Sequence, residues 1–351
     1  MRRIAVDAMG GDRAPAPQIE GAIAAVATGK VEVVLVGDEA RLRAEIAGRG
    51  GQALTTRHAS QVIAMDDHPS VAVKSKKDSS MRVCFDLVKS GEADAVVSAG
   101  NSGAMMACGL FVMRRLPHLE RPGILTLAPT AIGTQCVVLD VGANTEVKPS
   151  QLAQFAIMGA AYARTILGRE RPRVAVLSNG EEESKGTDLT REANRLLRMP
   201  GVASDFDYRG YAEGRDFFTG EFDVIVTDGF TGNIGLKTFE GALRLVFEMM
   251  RAEIARSARA KLGALLMKPV FEALKRRIEP DEFGGAPLLG VDGVAIVCHG
   301  NAGAKAIKNA ILTADRFIDL GLAPSLADAL ARQRELWEPP SDPTHARAAA
   351  E

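Results

Sequence analysis

The chain has 351 residues, 46% of them hydrophobic and 25% charged, a balance that suits one large α/β domain or two modest ones. Its 43 basic and 44 acidic residues leave a net charge of −1, which argues against a dedicated nucleic-acid binder; with one Trp and three Tyr, base-stacking platforms are also excluded. The four cysteines, Cys84, Cys108, Cys136 and Cys298, form no CxxC pair and lie in apolar stretches, as buried free thiols in a reducing compartment do.

In chain order, the N-terminus runs straight into an apolar strand predicted at 3–6 and ending at Asp7. No cleavable leader follows, and no apolar run reaches the ~18 residues needed to span a bilayer, so a cytoplasmic location is expected. Further strands are predicted at 31–36, 95–98, 124–127, 136–139, 173–177, 223–226 and 295–298. Several are continuous apolar runs, as in strands covered on both faces. Helical patterns fill the gaps, one of them Pro149–Leu167 with Pro in its first turn. The alternation predicts a mostly parallel sheet between two helical layers. No linker divides the chain, so one domain is expected over 1–338, with a frayed tail over 339–351.

One stretch breaks the alternation. Over 236–278 the pattern is helical only, and predicts a long helix, a short tip and a return helix from Pro269. Residues 251–277 carry eight basic and two acidic side chains, and the tip holds Leu262, Leu265, Leu266 and Met267 between Lys261 and Lys268. Two readings stand: a helix pair packed on the body or on a second subunit, or a hairpin whose tip touches anionic lipid headgroups weakly and reversibly.

Five strand ends lead into loops of one chemical kind. They are 98–103 with Gly100, Asn101, Ser102 and Gly103; 140–144 with Asp140 and Asn144; 178–186 with Ser178, Asn179 and Lys185; 227–233 with Thr227, Asp228, Gly229, Gly232 and Asn233; and 299–303 with His299 and Gly300. In a parallel sheet all five are expected on one carboxyl edge, where such folds bind ligands. Gly permits close backbone approach, and three of the loops open helices whose free N–H groups suit phosphate.

Absences narrow the chemistry. The sequence has no GxSxG elbow, no GxGxxG after Asp7, no GxxxxGK[ST] loop and no HExxH cluster, so no metal and no cofactor is expected. A site rich in anion-binding groups and poor in bases suits a nucleophile that arrives charged, such as inorganic phosphate. A thioester is a matching electrophile, because it needs alignment and oxyanion stabilisation more than proton transfer. Lys185, after a run of three glutamates able to orient it, is the candidate phosphate clamp; Asn233, at a helix start, is the candidate oxyanion donor.

At these residues the chain resembles the PlsX-type phosphate acyltransferases of bacterial phospholipid synthesis. DAMGGD from Asp7, SAGNSGA from Ser98, LDVGAN from Leu139 with Lys148-Pro149 after it, NGEEESKG from Asn179, DGFTGN from Asp228 and GGAPLLG from Gly284 occur in the family's order. The resemblance implies transfer of a long-chain acyl group from acyl carrier protein to phosphate, for use by a membrane glycerol-3-phosphate acyltransferase. It implies a three-layer α/β/α Rossmann-like fold related to phosphotransacetylases and isopropylmalate-dehydrogenase-like proteins, a homodimer, and a hairpin in contact with the membrane. It places the catalytic Lys and Asn at Lys185 and Asn233, and adds Asp7, Gly10 and Gly11 to the substrate loops. The chain departs from the pattern at Arg13, where His is usual, and at Ala302, where a hydroxyl is common. Two alternatives are a short-chain phosphotransacetylase using coenzyme A and a non-catalytic membrane scaffold that binds acyl carriers.

Overall fold

The apolar runs of the sequence become the inner strands of one sheet. The computed structural model describes residues 1–50, 54–200, 202, 204–278, 284–334 and 337; the tail expected over 339–351 lies outside them. In chain order the elements are β1 (Arg2–Asp7), α1 (Ala16–Val26), β2 (Val31–Gly37), α2 (Glu39–Ala47), β3 (Thr55–His58), α3 (Pro69–Ser75), α4 (Ser80–Ser90), β4 (Ala95–Ser98) and α5 (Ser102–Cys108). Then come β5 (Gly123–Pro129), β6 (Gln135–Leu139), α6 (Pro149–Leu167), β7 (Arg173–Leu177), α7 (Asp188–Leu197), β8 (Asp207–Ala212) and β9 (Val224–Val226). The chain continues with α8 (Gly229–Ala255), α9 (Ala258–Leu266), α10 (Lys268–Ile278), β10 (Ala286–Leu289), β11 (Val294–Val297), α11 (Ala304–Asp319) and α12 (Leu322–Arg332).

The eleven strands lie in the order β3-β2-β1-β4-β11-β10-β5-β6-β9-β7-β8. Side chains alternate across it: Ile4, Val6, Val137, Leu139, Val174 and Val176 join the core under α1, α6, α11 and α12. Ala5, Cys136, Val138 and Ala175 face the opposite core, with α4 and α5. The three-layer expectation holds, and all four cysteines are buried and free.

Strand direction corrects one expectation. β3, β2, β1, β4 and β11 form one parallel block, and β6, β9, β7 and β8 form another. They are joined through three successive antiparallel pairings, β11–β10, β10–β5 and β5–β6. An odd number of reversals points the two blocks in opposite directions, so the five loops do not share one carboxyl edge. Loops 98–103 and 299–303 end one block; 140–144, 178–186 and 227–233 end the other. The deciding reversal is β5–β6, since β11 and β5 both oppose β10 and so run the same way; β10 itself is a four-residue APLL strand absent from the prediction.

Two more strands are absent from the prediction, β3 and β8, and both are sheet edges. An edge strand is covered on fewer sides, and TTRH and DYRGYA accordingly lack an apolar run. The hairpin also differs. α8 begins at Gly229 instead of 236, because the Asp228 side chain accepts the Thr231 N–H and caps it. The segment expected as a tip is α9, opened by a Ser257 cap, with α10 starting at Lys268. Leu262, Leu265, Leu266 and Met267 are all exposed, as is Lys268, whose ammonium lies 3.8 Å from Glu272. Among the described residues no helix is long and apolar enough to cross a membrane.

Candidate active site

The strand reversal sorts the predicted residues into two clusters. The first joins the ends of β1, β4 and β11. Asp7 is buried; its carboxylate accepts the Ser98 hydroxyl at 2.7 Å and the Met9 N–H at 3.2 Å. Burial pushes its carboxyl up, against hydrogen bonds from Ser80, Ser98 and the amides of Met9 and Gly10. Gly10 packs where any Cβ would collide with Asp7 and the Gly100 amide, and Gly100 N–H donates to Ser98 Oγ at 3.0 Å. Asn101 is committed to structure: its Oδ1 accepts the Ala104 N–H, and its Nδ2 donates to the carbonyls of Ala64, Met65 and Asp67. Ser102 and Gly103 are exposed beside it.

The fifth loop is tied to the first motif. Asp12 N–H donates to Gly300 O at 2.8 Å, and the Arg13 guanidinium donates to Asn301 O at 2.6 Å. The unusual Arg13 thus acts as a strut, and Ala302 is buried beneath the loop. His299 Nε2 lies 3.7 Å from Glu240 Oε1 on α8. That approach connects the two clusters, since α8 starts at the carboxyl edge of the other block.

The second cluster joins the ends of β6, β9 and β7. Asp140 is fully buried and accepts five donors: the amides of Ile124, Gly142, Ala143 and Asn144, and Asn144 Nδ2. Burial pushes this carboxyl up while those donors pull it down. Asn144 also donates to Pro122 O at 2.7 Å, so Asp140 and Asn144 act as the frame of their loop. Thr227 exchanges backbone bonds with Leu139 and Asp140, and Gly229 N–H donates to Asn144 O at 2.7 Å. Gly232 packs directly on the Asp140 carbonyl, with no room for a Cβ. This contact seats the first turn of α8 on loop 140–144 and presents Asn233, exposed, over Gly142; its carboxamide lies about 3.9 Å from where a Gly142 Cβ would stand.

Lys185 stands on the exit loop of the neighbouring strand, β7. β7 and β9 pair with Val176 opposite Val226, so their exit loops leave the sheet level with each other, about 4.8 Å apart at the strand. Asn179 Oδ1 accepts the Gly186 N–H at 2.8 Å and Glu182 O accepts the Lys185 N–H at 2.9 Å, closing the loop. Gly180 leaves space for the Lys185 stem. The glutamate run does not orient the ammonium: Glu181 bonds Arg215 at 3.0 Å, Glu183 lies 3.9 Å from Arg198, and among the described residues Lys185 forms no ion pair. Ser178 Oγ is buried at the same edge with no hydrogen-bond partner among the described residues.

The struts Arg13, Ser80 and Glu240 escape a local reading, because each acts on a residue at least 59 positions away or on a loop known only in three dimensions. The second cluster therefore offers two uncommitted groups, an ammonium and a carboxamide, on a rigid frame without a paired base.

A model of the family described as "Fatty acid synthesis protein" matches residues 2–324. Phosphate acyltransferases of Geobacter sulfurreducens and Geotalea uraniireducens are 52% and 50% identical; the matches cover 93% and 95% of this chain and 94% and 96% of theirs. The chain belongs to the PlsX-type phosphate acyltransferase family. Members are acyltransferases that use phosphate as acceptor. Among solved structures, a phosphotransacetylase from Streptococcus pyogenes has a TM-score of 0.59 at 18% identity, covering 91% of this chain and 94% of its own. A branched-chain phosphotransacylase from Enterococcus faecalis has a TM-score of 0.56 at 12% identity, covering 90% and 98%. At those identities the likeness establishes the shared fold.

Proposed function

We propose that this enzyme transfers a long-chain acyl group from acyl carrier protein to inorganic phosphate, with Lys185 holding the phosphate and Asn233 donating to the thioester oxygen. The observation that carries this reading is the pair of exposed, uncommitted groups on adjacent strand exits, next to a frame in which the Asp140 and Asn144 side chains are consumed. A phosphate oxygen attacks the thioester carbonyl, the C–O bond forms, and the C–S bond breaks with the electron pair leaving on sulfur. The nucleophile is already anionic, so the site needs positioning and charge stabilisation more than a general base. Asp7, Gly10, Gly11, Ser102, Gly103, His299 and Gly300 belong to the other cluster, and in this reading they shape the face that α8 shares with it.

The exposed basic hairpin supports a lipid-linked donor over a soluble short-chain one. It is read as a weak, reversible contact with the inner face of the membrane, near the enzyme that consumes the acyl-phosphate, in a cytoplasmic homodimer of single-domain subunits. The test is to incubate the protein with palmitoyl carrier protein and labelled phosphate and to trap acyl-phosphate with hydroxylamine, with acetyl-coenzyme A in parallel. Product from the carrier thioester supports the reading. Product from acetyl-coenzyme A alone replaces it with a phosphotransacetylase.

A further inference from the structure

The loop that carries Lys185 is crowded with negative charge, and arginines from elsewhere in the chain hold most of it. Over 181–188 the sequence has four carboxylates, Glu181, Glu182, Glu183 and Asp188, against the one ammonium. A free carboxylate within about 4 Å of that ammonium would compete with any anionic substrate for it. Three of the four acids have an arginine partner instead. Asp188 meets Arg191 at 2.6 Å, Glu183 lies 3.9 Å from Arg198, and Glu181 meets Arg215 at 3.0 Å. Glu182 alone stays beside the lysine: a Cβ on Gly180 would stand 2.9 Å from Glu182 Oε2 and 2.7 Å from Lys185 Cγ.

Of these arginines, Arg215 is the one placed against the acid nearest the lysine stem. That stem runs back over Gly180, whose Cα is about 3.8 Å from the Cα of Glu181, so a released Glu181 carboxylate lies within reach of the ammonium. Arg215 comes from the 3-10 turn Gly214–Phe218, between β8 and β9. The turn is held firmly. The buried Asp216 side chain accepts the Glu213 N–H at 2.7 Å, Phe217 packs in the core, and Phe218 stacks on Phe239 of α8 with ring centroids 4.4 Å apart. The guanidinium is anchored on its own turn by Glu213 at 2.8 Å and Asp216 at 3.8 Å, and it turns a remaining N–H to Glu181. Because α8 also carries Asn233, the partner of Glu181 rests on the helix that positions the other candidate group.

We infer that Arg215 is a positioning residue for phosphate binding: it draws the Glu181 carboxylate aside and leaves the Lys185 ammonium free for the incoming anion. This rests on the reading of Lys185 as the phosphate holder. The Arg215 and Glu181 side chains are 66% and 65% exposed, and an exposed pair adds little to stability. Its consequence falls on the charge around Lys185, which faces one neighbouring carboxylate while Glu181 is held and two once it is released.

Arg215→Ala and Glu181→Gln break the same ion pair, so a pair that only tied the loop down would give the same result in both. A guard on Lys185 gives different ones. With palmitoyl carrier protein as donor, Arg215→Ala is expected to raise KM for phosphate about five- to tenfold and to keep kcat within about twofold. Glu181→Gln is expected to leave both constants within about twofold of wild type, and the double variant to return KM to that range. Arg215→Lys, which keeps the charge on the same turn, is expected to hold the rise below about threefold. Equal rises in the two single variants, or an unmoved KM in Arg215→Ala, would overturn the inference. So would a rise in Arg215→Ala that Glu181→Gln fails to reverse, which would put the guanidinium in direct contact with phosphate. Wild-type protein that forms no acyl-phosphate from any thioester removes the acyl-transfer reading itself, and the role of Arg215 with it.

Discussion

Lys185 and Asn233 differ from the loop-framing polar residues of the site in having no structural employment. Asn101, Asp140 and Asn144 carry the same chemical signature in the sequence, yet each spends its side chain on framing a loop. Residue type alone does not separate the two classes; only the hydrogen-bond partners do. Lys185→Ala is expected to cost about 2–4 kcal/mol of transition-state stabilisation, a fall of about 30- to 1,000-fold in kcat/KM with thermal stability unchanged. Activity within about twofold of wild type would remove Lys185 from the mechanism. Gly232 makes the converse case, a residue with no chemistry and a strict steric role. Gly232→Ala drives a Cβ into the Asp140 carbonyl and is expected to lower unfolding free energy by about 1–3 kcal/mol or more, read by urea denaturation.

At the scale of elements, the candidate site depends on β7 and β9 holding their register. Asp223 at the start of β9 accepts Arg173 N–H at 3.0 Å and its guanidinium at 2.9 and 3.1 Å, with Arg169 at 3.3 Å. Burial pushes the Asp223 carboxyl up, but the hydrogen bonds and charge of Arg173, with Arg169, more than offset it and hold the group below the usual carboxylate range. A carboxyl lowered by folding adds stability that is fully present above its unfolded pKa of about 3.9, and that is lost as pH falls through the lower folded value. Asp223→Asn is therefore expected to lower Tm at neutral pH and to flatten the acid limb of the Tm profile below about pH 4. Parallel profiles for the two proteins would show that the pair does not pin the strands.

For the whole molecule, the question is what the hairpin meets. The three leucines of α9, Leu262, Leu265 and Leu266, are all more than half exposed, and no residue of α9 is buried. The basic excess beside it suits an anionic surface, each lysine adding about 1 kcal/mol near such a membrane. Exchanging Lys261 and Lys268 for Glu is expected to weaken sedimentation with phosphatidylglycerol vesicles by more than about tenfold at low salt and to leave binding to neutral vesicles unchanged. Undiminished binding to anionic vesicles would shift the hairpin to the role of a subunit contact.

The sequence by itself determined the layered α/β architecture, the inner strands other than β10, and the loops that carry the site. Those features are local: an apolar run of four or five residues, a Pro in a first turn and a Gly beside an Asn each act over a few positions. It also carried the family, because a set of motifs in fixed order is a property of the chain alone. Tertiary structure decided the rest. The placing of the antiparallel β5–β6 pair between the two parallel blocks, joined to β11 through β10, turned one block against the other and so divided five similar loops between two edges. The seating of Gly232 on the Asp140 carbonyl placed Asn233 over Gly142 near the start of α8. Both outcomes depend on contacts between segments far apart in the chain, whose energies no local pattern records.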